Sequence, residues 1–457
     1  MSVLLRSLEQ LRCRALRGDF YVDASVGAGL TCSLLQPPGM CSAFTRSGSI
    51  YPPLGLLTLQ ATVGNMARAC TLEAEGLSLT DEETVSELRK QAPVAVGMTA
   101  TCGTIPVINA WSTVAHHLFS WKPLTLVGGP ATAFEHGRIF KECPHVDVIV
   151  RGDGEVTFPS IVDALDATRT LPRQTVLDVL STMEGVMVRN KPQLNDFSIP
   201  RFSKEGFATL PFPDFSQSPV QSYWAPDARR TPMVTMMTQR GCVANCTFCN
   251  TPQKDGNEIR GYSNERIVDN LLKLNELGVR EVSFVDDVFT NRPGGPRKLC
   301  MGIIDAGVDL TWYCNARAEA ITPKMADAMR QAGCHQVFMG FESGCNDMLK
   351  KMNKGETVSQ LKRGAEVLKD AGIHISIGFI VGYPGETESS VMRTIELCNA
   401  VKPHRAQFTR FSPIPGSTAH KEFGSSANMG FHNREAEDQI ESWLQKCYKE
   451  CEFLPSL

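Results

Sequence analysis

The sequence predicts an α/β protein of two wound segments: a doubly wound parallel sheet over residues 26–165, then a partial (β/α)6 barrel over residues 231–420. Three observations carry this expectation. Short apolar runs alternate with amphipathic helical stretches along both segments, the pattern of buried parallel strands joined by crossover helices. Many of the runs end in glycine or a charged residue, at the edge where such sheets bind ligands. Between the segments, residues 166–230 are rich in Pro and Ser and read as a linker.

In the first segment, strands are expected at 30–35, 69–74, 94–98, 124–127 and 146–150. Helices are expected at 54–67 behind Pro52 and Pro53, at 81–90 with Asp81 as N-cap, at 105–118 and at 158–167. The turns Gly128-Gly129-Pro130 and Gly152-Asp153-Gly154-Glu155 follow the fourth and fifth strands. The first strand–helix turn lacks Gly-x-Gly-x-x-Gly, which argues against a dinucleotide site in this Rossmann-like segment. In the linker, residues 185–189 and the turn at Asn190-Lys191 suggest a small hairpin.

In the second segment, a strand at 233–238 leads into Gly241-Cys242-Val-Ala-Asn-Cys246-Thr-Phe248-Cys249. This places three thiolates in one loop. A four-iron cubane takes four ligands, so three local cysteines leave one iron with an open position. The alternative is a structural zinc site or three core cysteines, but zinc normally takes four protein ligands and no second Cys or His pair lies nearby. Later strands at 281–285, 310–314, 336–339, 375–381 and 406–411 run into Asp286-Asp287, Arg317, Gly340-Phe341-Glu342-Ser343, Gly382 and Gly416. Asp287 and Arg317 read equally as an intradomain ion pair. In the tail, 421–457, a helix is expected at 435–451, with Cys447 and Cys451 on one face as core residues or auxiliary metal ligands.

Composition bounds the function. Hydrophobic content of 42% and charged content of 21% are those of a soluble globular chain of 457 residues, long enough for two or three domains. A net charge of −3 gives no electrostatic footprint for nucleic acid. No apolar run approaches the roughly 20 residues of a membrane span. Sixteen Cys in a chain this long are not a small disulfide scaffold and fit a reducing cytoplasm. Residues 1–25 carry Arg6, Arg12, Arg14 and Arg17, as a transit peptide does, but Glu9 and Asp19 favour a helical or disordered extension.

The cysteine spacing, with Phe248 before the last Cys, resembles the radical S-adenosylmethionine (SAM) superfamily. The resemblance implies a 4Fe-4S cluster on Cys242, Cys246 and Cys249, with SAM chelated at the open iron. It implies that Glu342, with Ser343, bonds the SAM ribose or amino group, and that Asp286 or Asp287 lies near the amino group. Arg317 would pair with the SAM carboxylate, a geometry that suits guanidinium, and Ile380 and Gly382 would meet the adenine. The first-segment turns resemble the cobalamin-binding domain that precedes the radical domain in cobalamin-dependent members. That implies cobalamin over Pro53, Leu54, Gly55, Gly128, Gly129, Pro130, Gly152 and Glu155, with Thr99, Thr101 and Cys102 along its tail or lower face. The Asp-x-His-x-x-Gly motif that supplies a His to cobalt is missing. His116 and His117 read as surface or packing residues.

The activity so implied is methylation of an unactivated carbon of a small-molecule metabolite. A 5′-deoxyadenosyl radical from SAM removes the hydrogen, methylcobalamin delivers the methyl, and an external flavodoxin- or ferredoxin-like donor supplies electrons. No general base or nucleophile is evident. Alternatives are a cobalamin-dependent cyclase or rearrangement enzyme without methyl transfer, a tRNA methylthiotransferase, and a non-catalytic cobalamin or cluster sensor. The methylthiotransferase would need a second cysteine trio and a basic C-terminal module, which are not evident. A sensor need not keep a SAM pocket. The short tail implies a pocket that is small, open or completed by another chain.

Overall fold

The structure, a computed structural model, describes residues 2–21, 31–40, 49–191, 199–424 and 434–451. It divides into two compact units, Met1–Pro226 and Asp227–Leu457.

The first unit is a six-stranded sheet of β1 (Cys32–Gln36), β2 (Ala69–Glu73), β3 (Ala95–Thr99), β4 (Leu124–Gly128), β5 (Val148–Val150) and β6 (Val186–Val188). The order is β2-β1-β3-β4-β5-β6. The first five run parallel, and the order reverses between β1 and β3, the switch point where doubly wound sheets open a ligand crevice. Leu30, the expected start of β1, lies outside the described residues. Both faces are covered, one by the core around Trp111 and Ile108, the other by the core around Phe158 and Ile161.

Three expectations change here, and the N-terminal extension takes the helical form of its two expected alternatives. The segment 185–189 is no hairpin: its apolar residues pair antiparallel with β5 and close the sheet edge. The helix Gly154–Ala167 begins four residues before the expected 158. Thr80, not Asp81, caps the helix Asp81–Gln91, because its hydroxyl accepts from Glu83 N while the Glu83 carboxylate accepts from Thr80 N at 2.8 Å. The N-terminal segment is a helix, Ser2–Leu16, whose Leu8, Leu11 and Ala15 join the Trp111 core.

The second unit carries β7 (Met233–Met236), a short antiparallel pair of β8 (Gln239–Arg240) and β9 (Arg260–Gly261), then β10 (Glu281–Phe284), β11 (Thr311–Ala316), β12 (Cys334–Glu342), β13 (His374–Val381) and β14 (Arg405–Arg410). The main sheet runs β7-β10-β11-β12-β13-β14, all parallel and in chain order, as a partial (β/α)6 barrel requires. Crossover helices start at hydroxyl caps on Ser263, Thr322, Thr357 and Thr387, each accepting from a backbone N–H in the first turn. The helix Arg434–Glu450 packs on β14 and on the helix Glu388–Val401. It buries Ile440, Trp443 and Cys447, and Cys451 beyond it packs beside Cys398, which makes these cysteines core positions. Among the described residues no helix is long and apolar enough to cross a membrane.

Candidate functional site

The β8–β9 pair closes the base of the cysteine loop, so Cys242, Cys246 and Cys249 are presented at the carboxyl end of β7. The loop is tied down at several points. Thr247 N donates to Met352 O at 2.9 Å, Ala419 N donates to Thr247 O at 2.8 Å, and the Thr247 and Tyr383 hydroxyls lie 2.7 Å apart. Phe248 and Ile380 pack on one apolar cluster with Met348, Met352, Tyr383 and Phe411.

Two of the three sulfurs have donors or cations beside them. Cys246 is buried, and Arg317 Nη1 points at its sulfur from 3.9 Å. Thr251 N donates to the Cys249 sulfur at 3.4 Å. Burial pushes the Cys242 and Cys246 thiols up, while Lys354 and Arg317 pull Cys246 the other way. Such thiols deprotonate when a metal binds them. The three do not converge as one ion would demand: among the described residues they are not a set whose donors all lie within 4.8 Å of one another. Thiolates on separate irons of a cubane stand farther apart than those on a single zinc. The donor set fits a cubane.

The two adjacent carboxylates at the end of β10 divide their work. Asp286 is fully buried and accepts from Thr238 N at 2.6 Å, Gln239 N at 3.0 Å and the Thr238 hydroxyl. Arg292 steadies Thr238 from 2.8 Å, and burial pushes Asp286 up to about 6. Asp286 therefore sets the strand-to-loop junction and has no oxygen free for a ligand. Asp287 stays exposed and accepts from Thr251 Oγ1 at 3.3 Å, one residue pair away from Cys249.

Arg317 is also committed. Its Nε donates to Glu319 at 2.6 Å, its Nη2 donates to Lys354 O at 2.6 Å, and Nη2 stands 3.3 Å from Glu356. The expected fork for the SAM carboxylate is thus engaged inside the protein, leaving Nη1 turned to Cys246. The ion pair that forms is with Glu319 and Glu356, not Asp287.

Glu342 ends β12 with φ +63°, a left-handed conformation rare outside glycine, at a bulge in the β12–β13 ladder. Such strain costs on the order of 1–3 kcal/mol and concentrates at functional sites. A Cβ at Gly340 would stand 2.2 Å from Glu342 Oε1, so a side chain there would displace the Glu342 carboxylate from its present place. Lys354 Nζ lies 3.4 Å from both Glu342 and Glu356. Burial opposes the charge on Lys354, but the two carboxylates outweigh it and hold its pKa above the ordinary value. Burial likewise raises Glu342 and Glu356. Ser343 points away from the cysteines. Its hydroxyl contacts Thr394 Oγ1 at 3.4 Å and accepts from Cys345 N. Gly382 is covered by Ile440 and donates to Glu386.

In the first unit, Thr99, Thr101 and Gly128-Gly129-Pro130 come together at the carboxyl ends of β3 and β4. Gly129 has φ +93°, and a Cβ there would stand 2.3 Å from Thr99 Oγ1. Gly129 and Pro130 are exposed. Pro53 caps the helix Leu54–Val63, and Gly55 in its first turn faces open space. Gly152, by contrast, lies under Pro200, whose carbonyl accepts from Asp153 N at 2.8 Å, and Glu155 is buried. The exposed edge of small and hydroxyl-bearing residues fits a large planar cofactor at β3, β4 and the Leu54–Val63 helix, less so at Gly152.

Sequence reasoning missed Lys354, Glu356, Glu319 and Thr251. The charged cluster Lys354-Gly355-Glu356 in a turn was the available signal, but its partners lie 12 to 37 residues away.

Comparisons with known proteins agree with this geometry. The family model described as Radical SAM superfamily matches residues 236–398. An uncharacterized methyltransferase, PH0819, of Pyrococcus horikoshii is 32% identical over 385 residues, covering 84% of this chain and 81% of the relative. The anaerobic magnesium-protoporphyrin IX monomethyl ester cyclase of Rubrivivax gelatinosus is 25% identical over 391 residues, 83% of this chain and 67% of the relative. The radical SAM methyltransferase TsrM of Kitasatospora setae, solved with cobalamin and a [4Fe-4S] cluster bound, shares the fold at TM-score 0.67 and 15% identity, covering 86% of this chain and 77% of that one. A cysteine loop at the head of a parallel six-stranded sheet, a doubly wound unit ahead of it in sequence, and these relatives together make the chain a member of the radical SAM superfamily.

Proposed function

We propose that this chain methylates an unactivated carbon of a small-molecule metabolite, with electrons from a flavodoxin- or ferredoxin-like protein. The observation that carries the reading is the cysteine loop held beside a strained, lysine-paired Glu342 at the carboxyl ends of β7 and β12. When bound, the cluster supplies the electron that splits SAM, and cobalamin supplies the methyl group.

The chain's own residues bind, orient and exclude water. Cys242, Cys246 and Cys249 hold the cluster. Arg317 Nη1 and Thr251 N–H donate to the sulfurs of Cys246 and Cys249, contacts that would tune the reduction potential of a cluster held there. Glu342, held by Lys354, accepts from the SAM amino group or ribose hydroxyls, and Asp287 is the second carboxylate within reach of the amino group. Phe248 and Ile380 form the dry wall for the adenine. Thr99, Thr101, Gly128, Gly129, Pro130 and the turn Pro53-Leu54-Gly55 cradle cobalamin in the first unit, and Gly152 and Glu155 support that edge from within.

The similarity to the cyclase supports a second reading, ring formation without methyl transfer. One anaerobic experiment separates them. The protein is reconstituted with iron, sulfide and hydroxocobalamin, then given SAM and a strong reductant. Bound cobalamin with both 5′-deoxyadenosine and S-adenosylhomocysteine is expected for the methyltransferase. Deoxyadenosine with bound cobalamin but no S-adenosylhomocysteine favours the cyclase, and deoxyadenosine without bound cobalamin overturns the role given to the first unit.

A further inference from the structure

Outside the cysteine loop, three imidazoles meet in the first unit. His116 and His117 end the helix Ile105–Leu118, and His145 precedes β5 by two residues. One ring nitrogen from each lies within 4.8 Å of the other two. The ring centroids of His116 and His145 are 4.4 Å apart, and His117 stands 5.0 and 5.1 Å from them. All three are half-buried.

Packing alone does not explain the arrangement. Nδ1 of His116 and Nε2 of His117 are buried with no hydrogen-bond partner, and polar atoms left so are destabilising. The nearby cations are largely engaged elsewhere. Arg173 pairs with Asp147 at 2.7 Å, Arg12 with Glu9 at 2.6 Å, and Arg189 donates to the carbonyls of Phe140, Cys143 and Val146. Lys122 is the remaining positive charge acting on all three rings. Against it, the trio sits at a helix C-terminus, where the dipole favours a cation.

We propose that His116, His117 and His145 form a second metal centre, taking one borderline divalent cation of the zinc class with water in its fourth position. Three imidazoles and no carboxylate suit zinc, nickel or copper rather than magnesium or calcium. Tetrahedral zinc with bonds of about 2.0–2.1 Å holds its ligand nitrogens roughly 3.4 Å apart, so ring rotations that draw the three in by no more than about 1.4 Å close the site. The trio lies at the edge where β4 and β5 begin, opposite the carboxyl ends that carry Thr99 and Gly129, so this centre is separate from the cobalamin face.

The test uses the full, cluster-reconstituted chain, exchanged anaerobically into zinc chloride and desalted. Expected is one zinc per chain with a nitrogen-and-oxygen shell near 2.0 Å in zinc X-ray absorption, and a thermal midpoint that rises with zinc. Both are lost in His145→Gln, and separately in His117→Gln in case the first variant fails to fold. No retained zinc, a sulfur shell near 2.3 Å, or undiminished zinc in both folded variants overturns the proposal.

Discussion

Replacing Lys354 by Met removes the one ammonium that faces Glu342 and Glu356 together. At an effective dielectric of about 20, a unit charge pair 3.4 Å apart is worth roughly 5 kcal/mol before desolvation. Removing one partner of a buried pair costs about 3–5 kcal/mol net, because the other charge is left behind. Glu356 keeps Arg317, so the larger loss falls on Glu342. Hydrogen exchange of the β12 amides reads this locally, with β3 as the internal reference. At about 1.4 kcal/mol per tenfold, Lys354→Met should speed β12 exchange by about 140- to 4,000-fold. The sign with pH follows from Glu342, whose folded pKa already lies above its unfolded value and rises further in the variant. The deficit is small below the unfolded pKa and grows as pH rises through the folded one, so it is larger at pH 8 than at pH 5. Adding Glu342→Gln should restore most of the protection. Exchange in Lys354→Met within twofold of the parent, or a double variant as labile as the single, would refute the reasoning.

Three further outcomes are expected. Asp286→Asn keeps an acceptor for Thr238 N and Gln239 N but turns a donor toward the Thr238 hydroxyl, which Arg292 already donates to; it should cost about 1–3 kcal/mol and lower iron per chain after reconstitution, measured by metal analysis. Gly55→Leu puts a side chain into open space in the first helical turn, so the thermal midpoint should hold or rise by up to about 1 kcal/mol in stability while bound cobalamin falls at least about tenfold. Unchanged cobalamin would remove that turn from the cofactor site. Burial pushes Glu386 up to about 7, above its unfolded value, so the parent loses stability as pH rises through 7. Glu386→Gln keeps an acceptor for Gly382 N and lacks that loss. It should match the parent at pH 4 and exceed it by ~1–3 kcal/mol at pH 8, read by thermal melts.

The strands were legible because parallel strands buried on both faces read as continuous apolar runs, and eleven of them in two blocks fix the class. The N-terminal helix was legible only as one of two alternatives, and its docking was not, although Leu8, Leu11 and Ala15 already lay at helical spacing. The cysteine loop was legible because three ligands are local in sequence. The network around it was not: Arg317, Glu342 and Lys354 meet only after β11, β12 and the following turn pack, and no periodicity marks a residue whose partner comes from another strand. Asp286 and Asp287 are identical in composition terms. Only the strand's exit direction sends one into the core and leaves the other open.

The glycines divide along the same line. In sequence, a glycine after a strand signals that something approaches the backbone, but not what. At Gly152 the approaching group is Pro200, and at Gly382 it is Ile440, so the chain itself explains both. At Gly340 it is the carboxylate of Glu342, two residues on, which ties the glycine to the strained residue at the end of β12. Gly55 has no approaching protein atom within 4 Å. A glycine in a helix costs up to about 1 kcal/mol relative to alanine. Gly137, inside the helix Thr132–Glu142, is equally open, so openness alone does not mark a ligand; Gly55 differs in lying in the first turn of the helix that follows β1, at the edge where such sheets bind ligands.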